Sequence, residues 1–270
     1  MNNQKITTLN LNGIRSAQSK GLQDWVEKYD PDIICVQETK AQIEKLLPEQ
    51  YTLPGYFHTF SCAEKPGYSG VGIYSKVKPK NTIHTCGLGW ADREGRFILA
   101  EFAHINTKVV SLYLPSGTSG AHRQDLKYEM MDYLYQNHLS DWIANNESVI
   151  ICGDWNIAHT PMDIKRAKQN EKNSGYLPEE RAWLSQVLKL GYIDTFRACN
   201  PDDEVYSWWS FRGQARKNNV GWRIDYQIAT PALKDHIISS SIDKDPLLSD
   251  HGPIRNEYHI DVITDTVSTI

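Results

Sequence analysis

The stretch SVIICGDWNIAH, residues 148–159, runs four apolar residues together, Val149 to Cys152, then breaks at Gly153 into Asp154 and Asn156. A short continuous apolar run rich in β-branched residues fits a central strand covered on both faces; a strand with one wet face would alternate. The carboxylate arrives where the strand stops. IICV, Ile33–Val36, repeats the pattern and ends close to Glu38.

Working outward, six more segments read as strands: KITTLNL (5–11), GVGIYS (70–75), RFILAEF (96–102), KVVSLYLP (108–115), WRIDYQIA (222–229) and IRNEYHI (254–260). Helical spacing lies between some of them. From His122 to Asn145, Leu126, Met130 and Leu134 recur at i+4, followed by Leu139 and Ile143, which predicts one long amphipathic helix. PEERAWLSQVLKLG has Pro178 and two acids in its first turn and Gly191 after its end, a second helix. A shorter one spans Gly21–Tyr29 and stops at Asp30-Pro31. Many strands with interspersed helices predict an α/β layered fold. GLGWAD, 87–92, lacks the spacing of a dinucleotide-binding loop.

No repeat or Gly/Ser linker divides the 270 residues, so one domain over 1–260 with a short tail, 261–270, is expected. No apolar run approaches the ~18–20 residues that cross a bilayer, and the N-terminus lacks a secretory pattern. The five cysteines are scattered without a CxxC, which points to free thiols in a reducing compartment. A cytoplasmic monomer, nucleoid-associated if bacterial, is expected. A net charge of −4 argues against a protein that coats nucleic acid through a global positive field, while leaving room for a local basic groove.

Chemistry gathers where strands end. Asn10 and Asn12, Glu38, Tyr113, Asp154 and Asn156, Asp225, and the Asp250-His251 pair in LLSDHGPI each border a predicted strand. Any one of these is ordinarily a cap or a turn. Six endings with one palette fit a ligand site at strand termini. Asn, Asp and Glu are hard oxygen ligands, and the absence of paired Cys or HExxH disfavours zinc. Few oxygen ligands suit Mg²⁺ sharing phosphate oxygens. With phosphate-facing donors at Asn156, Tyr113 and a protonated His251, these are the parts of metal-assisted phosphodiester hydrolysis.

LNLNGIR (9–15), DIICVQETK (32–40), GYSGVGIYSK (67–76), EGR (94–96), YLPSG (113–117), CGDWNIAH (152–159), NSGYLPEERAW (173–183), GWRIDY (221–226) and SDHGPI (249–254) occur in the order of a known family. The chain resembles the exonuclease III-type AP endonucleases of the endonuclease/exonuclease/phosphatase superfamily, over nearly its whole length. The resemblance implies a four-layer α/β sandwich of DNase I-like type, two mixed β-sheets packed face to face with helices outside. It implies Glu38 as principal Mg²⁺ ligand, Mn²⁺ substituting, helped by Asn10 and Asp250, directly or through water. Asn12 stands where some relatives carry aspartate, which weakens a second-metal role. Asp154 would activate water, Asn156 and His251 would contact the scissile phosphate, Asp225 would accept a hydrogen bond from His251, and Tyr113 would contact the phosphate or the leaving oxygen.

The implied substrate is double-stranded DNA with abasic sites or blocked or recessed 3′ ends. The implied activities are incision 5′ to the abasic site, 3′–5′ exonuclease and 3′-phosphatase. Trp208 and Trp222 would wall a pocket for a flipped abasic sugar. Lys165, Arg166, Lys168, Arg212 and Arg223 flank the catalytic motifs and are expected on the DNA backbone. Ser116 stands where relatives often carry Asn or Gln, and Gln169 where a small residue is expected; the latter could shift preference from internal abasic sites toward 3′ ends. The alternatives are a relative specialised for 3′ ends, a phosphoesterase of the same superfamily acting on inositol phosphates or sphingomyelin, and an inactive DNA-binding module. The last is opposed by the presence of Glu38, Asp154, Asp225 and His251.

Overall fold

A computed structural model of the chain describes residues 3–46, 51–245 and 247–262. In chain order the strands among them are β1 (Gln4–Asn10), β2 (Ile33–Gln37), β3 (Phe57–Ser61), β4 (Val71–Ser75), β5 (Asn81–Ile83), β6 (Phe97–Phe102), β7 (Thr107–Tyr113), β8 (Val149–Asp154), β9 (Ile193–Asp194), β10 (Asp225–Ala229), β11 (Ile237–Ile242) and β12 (Ile254–Tyr258). They form two six-stranded sheets, ordered β11-β12-β1-β2-β4-β3 and β5-β6-β7-β8-β10-β9. Each sheet has one parallel pair at its centre, β1 with β2 and β7 with β8, flanked by antiparallel neighbours.

The continuous apolar runs have a simple cause. In β8, Ile150 and Cys152 face the other sheet while Val149 and Ile151 face the helices beyond their own. In β2, Ile33 and Cys35 point inward and Ile34 and Val36 outward. Both faces of each strand are therefore dry, as a period of two through a four-layer sandwich demands. Three large apolar clusters fill the three gaps between the four layers.

All eight segments read as strands from sequence are strands. The helices Leu22–Tyr29 and Pro178–Lys189 stand where their patterns placed them. The long helix is interrupted: Ala121–Leu134 passes through a π-helical turn, Tyr135–Leu139, into Ser140–Ala144. Its apolar residues step by four to Leu134 and by five to Leu139, and the wide turn absorbs that extra residue so that Leu134 and Leu139 both stay buried. No helix among the described residues is long and apolar enough to cross a membrane. The described residues include Asp261 and Val262 of the expected tail; 263–270 lie outside them.

Candidate active site

The parallel strands deliver their C-terminal ends, and the antiparallel β10 and β12 their N-terminal ends, to one rim of the sandwich. Register does the rest. Asp225 lies opposite Asp154 across β10 and β8, and Tyr113 lies beside Asp154 across β7 and β8. On the facing sheet Asn10 pairs with Gln37, one residue before Glu38. The sheets meet at this rim: Asn10 Nδ2 donates to Glu38 Oε1 at 2.8 Å and to Asp154 Oδ2 at 2.9 Å, and the Tyr113 hydroxyl donates to Glu38 Oε1 at 2.9 Å.

His251 Nδ1 lies 2.8 Å from Asp225 Oδ2, leaving Nε2 as the ring nitrogen available to a ligand. Ser207, unmarked in the sequence reading, donates to the same Asp225 oxygen at 2.6 Å. Burial alone would push the imidazole toward neutrality. The Asp225 charge and hydrogen bond overcome it and raise the His251 pKa to about 10, so the ring is cationic at neutral pH. Asp154 moves the other way for a carboxylate. Its burial, then the charges of Asp225 and Glu38, raise it to about 8, against the pull of His251. Burial would also raise Glu38 and Asp250. For Glu38, Lys40, Asn10 and His251 prevail; for Asp250, the His251 charge and hydrogen bonds from Trp208, Asn12 and Ser249 prevail; both carboxyls lie below their usual range.

Glu38, Asp154 and His251 each offer a ligand atom, and the three atoms lie within 4.8 Å of one another. Around Glu38 the donors are hard oxygens, a set that fits a small divalent cation sharing phosphate oxygens. Asn10 links the two carboxylates: its Oδ1 accepts the Asn12 backbone N–H at 2.9 Å and its Nδ2 donates between Glu38 and Asp154. Lys40, within the DIICVQETK motif but given no role from sequence, is 2.7 Å from Glu38 Oε2 and also donates to Asn12 Oδ1. Asn12 Nδ2 in turn donates to Asp250 Oδ1 at 2.9 Å.

Four residues of this rim hold left-handed backbone without being glycine: Asn12 (φ 46°), Glu38 (51°), Lys40 (51°) and Asn156 (52°). Such conformations are strained for residues with a Cβ. Here they turn each side chain back over its strand end. Asn156 is held from both sides: its N–H donates to Asp154 Oδ1 at 2.9 Å, and its Nδ2 donates to the Leu114 carbonyl at 2.9 Å, leaving one amide hydrogen free. Behind it Lys127 donates to the Asn156 carbonyl at 2.7 Å and pairs with Glu180, both side chains fully buried. Glu180 accepts from the Gly175 and Leu177 backbone N–H groups, at 2.7 and 3.0 Å, and so ties down the far wall of the cleft.

That cleft has a volume of about 710 Å³. Glu38, Tyr113, Asp154, Asn156, Asp250 and His251 line one part of it, and Trp208, Trp222, Ile224, Gly175, Ser116 and Thr118 another. The Trp208 and Trp222 rings meet edge to face, centroids 6.1 Å apart, and Trp208 Nε1 donates to Asp250 Oδ2 at 3.0 Å. Gly175 (φ +93°) is required behind Trp222, because a Cβ there would sit 3.0 Å from the indole and 3.1 Å from the Asn156 carbonyl.

Lys165, Arg166, Lys168 and Arg212 are exposed, and none is in an ion pair among the described residues. Arg223 is a correction. It is 1% exposed, bound to Asp163 at 2.7 Å and to Asp194 at 2.7 Å, and its role is to brace the β8–β10 end of the fold, out of reach of a DNA backbone. Gln169 is exposed in the short helix Ala167–Asn170 and is not among the cleft's lining residues.

Residues 7–251 match the Endonuclease/Exonuclease/phosphatase family. The chain is 40% identical to the DNA repair nuclease APEX1 of Danio rerio, over 93% of this chain and 81% of that protein. It is 38% identical to the exodeoxyribonuclease of Bacillus subtilis, over 93% of this chain and 98% of that one. The structure of an AP endonuclease from Archaeoglobus fulgidus superimposes with a TM-score of 0.87 at 27% identity, covering 95% of this chain and all of that one.

Proposed function

Because the chain belongs to the endonuclease/exonuclease/phosphatase family, we propose that it is a Mg²⁺-dependent DNA-repair hydrolase that cuts the phosphodiester 5′ to abasic sites in duplex DNA. The same site would remove nucleotides 3′ to 5′ and clear phosphate from blocked 3′ ends. The relatives' names support the nuclease chemistry. The observation that carries the substrate is a single cleft joining the carboxylate–imidazole cluster to an aromatic-walled recess. Trp208, Trp222 and Ile224 offer an apolar wall to a base-less sugar while the phosphate meets the charged half.

Asp154 orients and deprotonates the attacking water. A carboxylate raised to about 8 is a stronger base than an ordinary aspartate, and close to the pH at which it must work. The free amide hydrogen of Asn156 and the His251 imidazolium donate to the non-bridging oxygens, where charge builds in the transition state. Asp225 keeps His251 charged and fixed. Glu38, with Asp250 and the Asn12 carboxamide beside it, would hold the divalent cation, Mn²⁺ substituting for Mg²⁺. When bound, that ion supplies neutralisation of charge at the leaving 3′ oxygen.

A duplex with one central abasic site, incubated with Mg²⁺, tests the reading. One cut 5′ to the lesion is expected, abolished by EDTA and by Asp154→Asn, with duplex binding by the variant retained in fluorescence anisotropy. An uncut duplex alongside phosphate release from a lipid headgroup would move the protein to another branch of the family.

A further inference from the structure

The EGR motif, Glu94–Arg96, has no part in the chemistry above, yet its arginine is 2% exposed directly behind the rim. Arg96 Cζ lies 4.6 Å from the centroid of the Tyr113 ring. Arg96 NH1 donates to the Tyr113 carbonyl at 3.0 Å, and the Arg96 carbonyl accepts the Tyr113 N–H at 2.9 Å. One arginine thus grips the tyrosine at both backbone groups and on its ring. Two more of its five N–H donors are committed: Nε to Glu94 Oε2 at 2.6 Å, and NH2 to the Tyr68 hydroxyl at 3.2 Å. Arg123 donates to the other Glu94 oxygen at 2.9 Å and also to Tyr68. Gly95 (φ +59°) permits the turn, since a Cβ would fall 2.5 Å from the Ser61 carbonyl.

This is more than a fold needs to bury one arginine. Two arginines and one glutamate leave a net positive charge behind a phenol whose hydroxyl points at Glu38. A cation on a ring face is attracted to the π-electrons and draws density from the phenolic oxygen, which sharpens the O–H as a donor. We propose that Arg96, locked by Glu94 and Tyr68, is a positioning residue that fixes the Tyr113 ring and strengthens its hydroxyl as hydrogen-bond donor to the leaving 3′ oxygen. The inference rests on the hydrolytic reading above. In that step the water oxygen bonds to phosphorus and gives its proton to Asp154. The bond from phosphorus to the 3′ oxygen breaks, and the leaving oxygen, which takes the Tyr113 hydroxyl's hydrogen bond over from Glu38, takes a proton from solvent.

The test compares two abasic duplexes, one natural and one with sulfur replacing the bridging 3′ oxygen. A thiolate leaves readily without a donor, its thiol being far more acidic than an alcohol. Single-turnover rates at saturating protein are read as variant-to-parent ratios on each duplex, with Kd measured separately. Arg96→Lys, which keeps a cation but not the grip, is expected to slow the oxygen substrate about tenfold, somewhat less than full loss of a desolvated cation–ring contact would. The sulfur substrate should stay within about twofold and Kd unchanged. Added to Tyr113→Phe, it should cost nothing further. Equal slowing of both substrates, or losses that add in the double variant, would show a merely structural arginine and overturn the proposal. Should Arg96→Lys not fold, Glu94→Gln loosens the same guanidinium and is expected to give the same pattern in weaker form. A parent protein that cuts neither duplex would instead refute the hydrolytic reading itself.

Discussion

Replacing Asp225 by asparagine should discharge His251 while leaving its shape and position almost untouched. The imidazole is 4% exposed, so solvent does little to screen its partner. Moving a histidine from its ordinary 6.5 to about 10 corresponds to ~5 kcal/mol in favour of the cation. Asp225 is the first of the groups that raise it, ahead of Asp154 and Asp250. With asparagine in place burial, the largest single influence, loses its main opponent, and the ring should titrate well below its parent value. The direct assay is the ring nitrogen spectrum of His251 followed by NMR from pH 5 to 11 in metal-free protein, assigned with His251→Gln. The parent imidazolium should persist to about pH 10. In single-turnover cleavage at pH 7.5 the variant should lose about a hundred- to a thousandfold, the usual cost of one preorganised donor. Stability carries the same signature. A histidine whose folded pKa is raised stabilises the fold fully below about 6.5 and loses that contribution as pH rises through about 10. The gap in urea midpoint between parent and variant should therefore be widest near pH 6 and close toward pH 10.5. If His251 titrates at the same pH in both proteins, Asp225 is not the source of its charge and the reasoning fails.

Asp154 adds to the same trend. Its folded pKa is raised to about 8, so its contribution is greatest below about 4 and is lost as pH climbs to 8; metal-free protein should melt at a lower temperature at pH 9 than at pH 6, and a Tm that rises over this interval would contradict both assignments. Breaking the buried Lys127–Glu180 pair by Glu180→Gln should destabilise by ~3–5 kcal/mol, because it strands an ammonium inside the protein; equilibrium urea denaturation would show it, and a loss below ~1 kcal/mol would mean water reaches Lys127. Trp222→Ala should slow incision at internal abasic sites more than removal of a recessed 3′ nucleotide, by the ~1–3 kcal/mol of an aromatic contact; equal slowing of both reactions in parallel time courses would deny the recess its selectivity. Changing Lys165, Arg166 and Lys168 together to glutamine should flatten the plot of log affinity against log salt by about 2–3; an unchanged slope in anisotropy titrations would remove them from the DNA surface.

The eight segments legible as strands are the eight inner strands of the two sheets; β3, β5, β9 and β11, which gave no readable pattern, are the four edges. The reason is burial. The inner strands β2, β4, β8 and β10 are buried throughout and the others mostly so, whereas β5 has no buried residue and β11, IISSSI, has one. Edge strands are also where polar residues guard against pairing with other chains. The five-residue step from Leu134 to Leu139 was visible in the sequence and marks the π-helical turn, but spacing alone suggests a continuous helix. In the site, Asp154, Asp225 and Tyr113 stood out because strand ends mark them. Ser207 acts through Asp225, 18 residues away, and Lys40 joins its near neighbour Glu38 to Asn12, 28 residues away, links that only the fold makes. Arg223 misled for the same reason: it adjoins Trp222 in sequence, while the carboxylates that claim it, Asp163 and Asp194, are 60 and 29 residues away.

The left-handed residues of the rim set a trap for anyone improving this protein. Glycine relieves that conformation at Lys40 or Glu38, where a Cβ opposes it by ~1–2 kcal/mol, part of which is returned as added freedom of the unfolded chain. A laboratory selection scored on heat resistance alone would therefore be rewarded for erasing the side chains around Glu38, and its most robust winners should include some of its least active. Tm and cleavage rate measured across a glycine series at Asn12, Glu38, Lys40 and Asn156 should run in opposite directions.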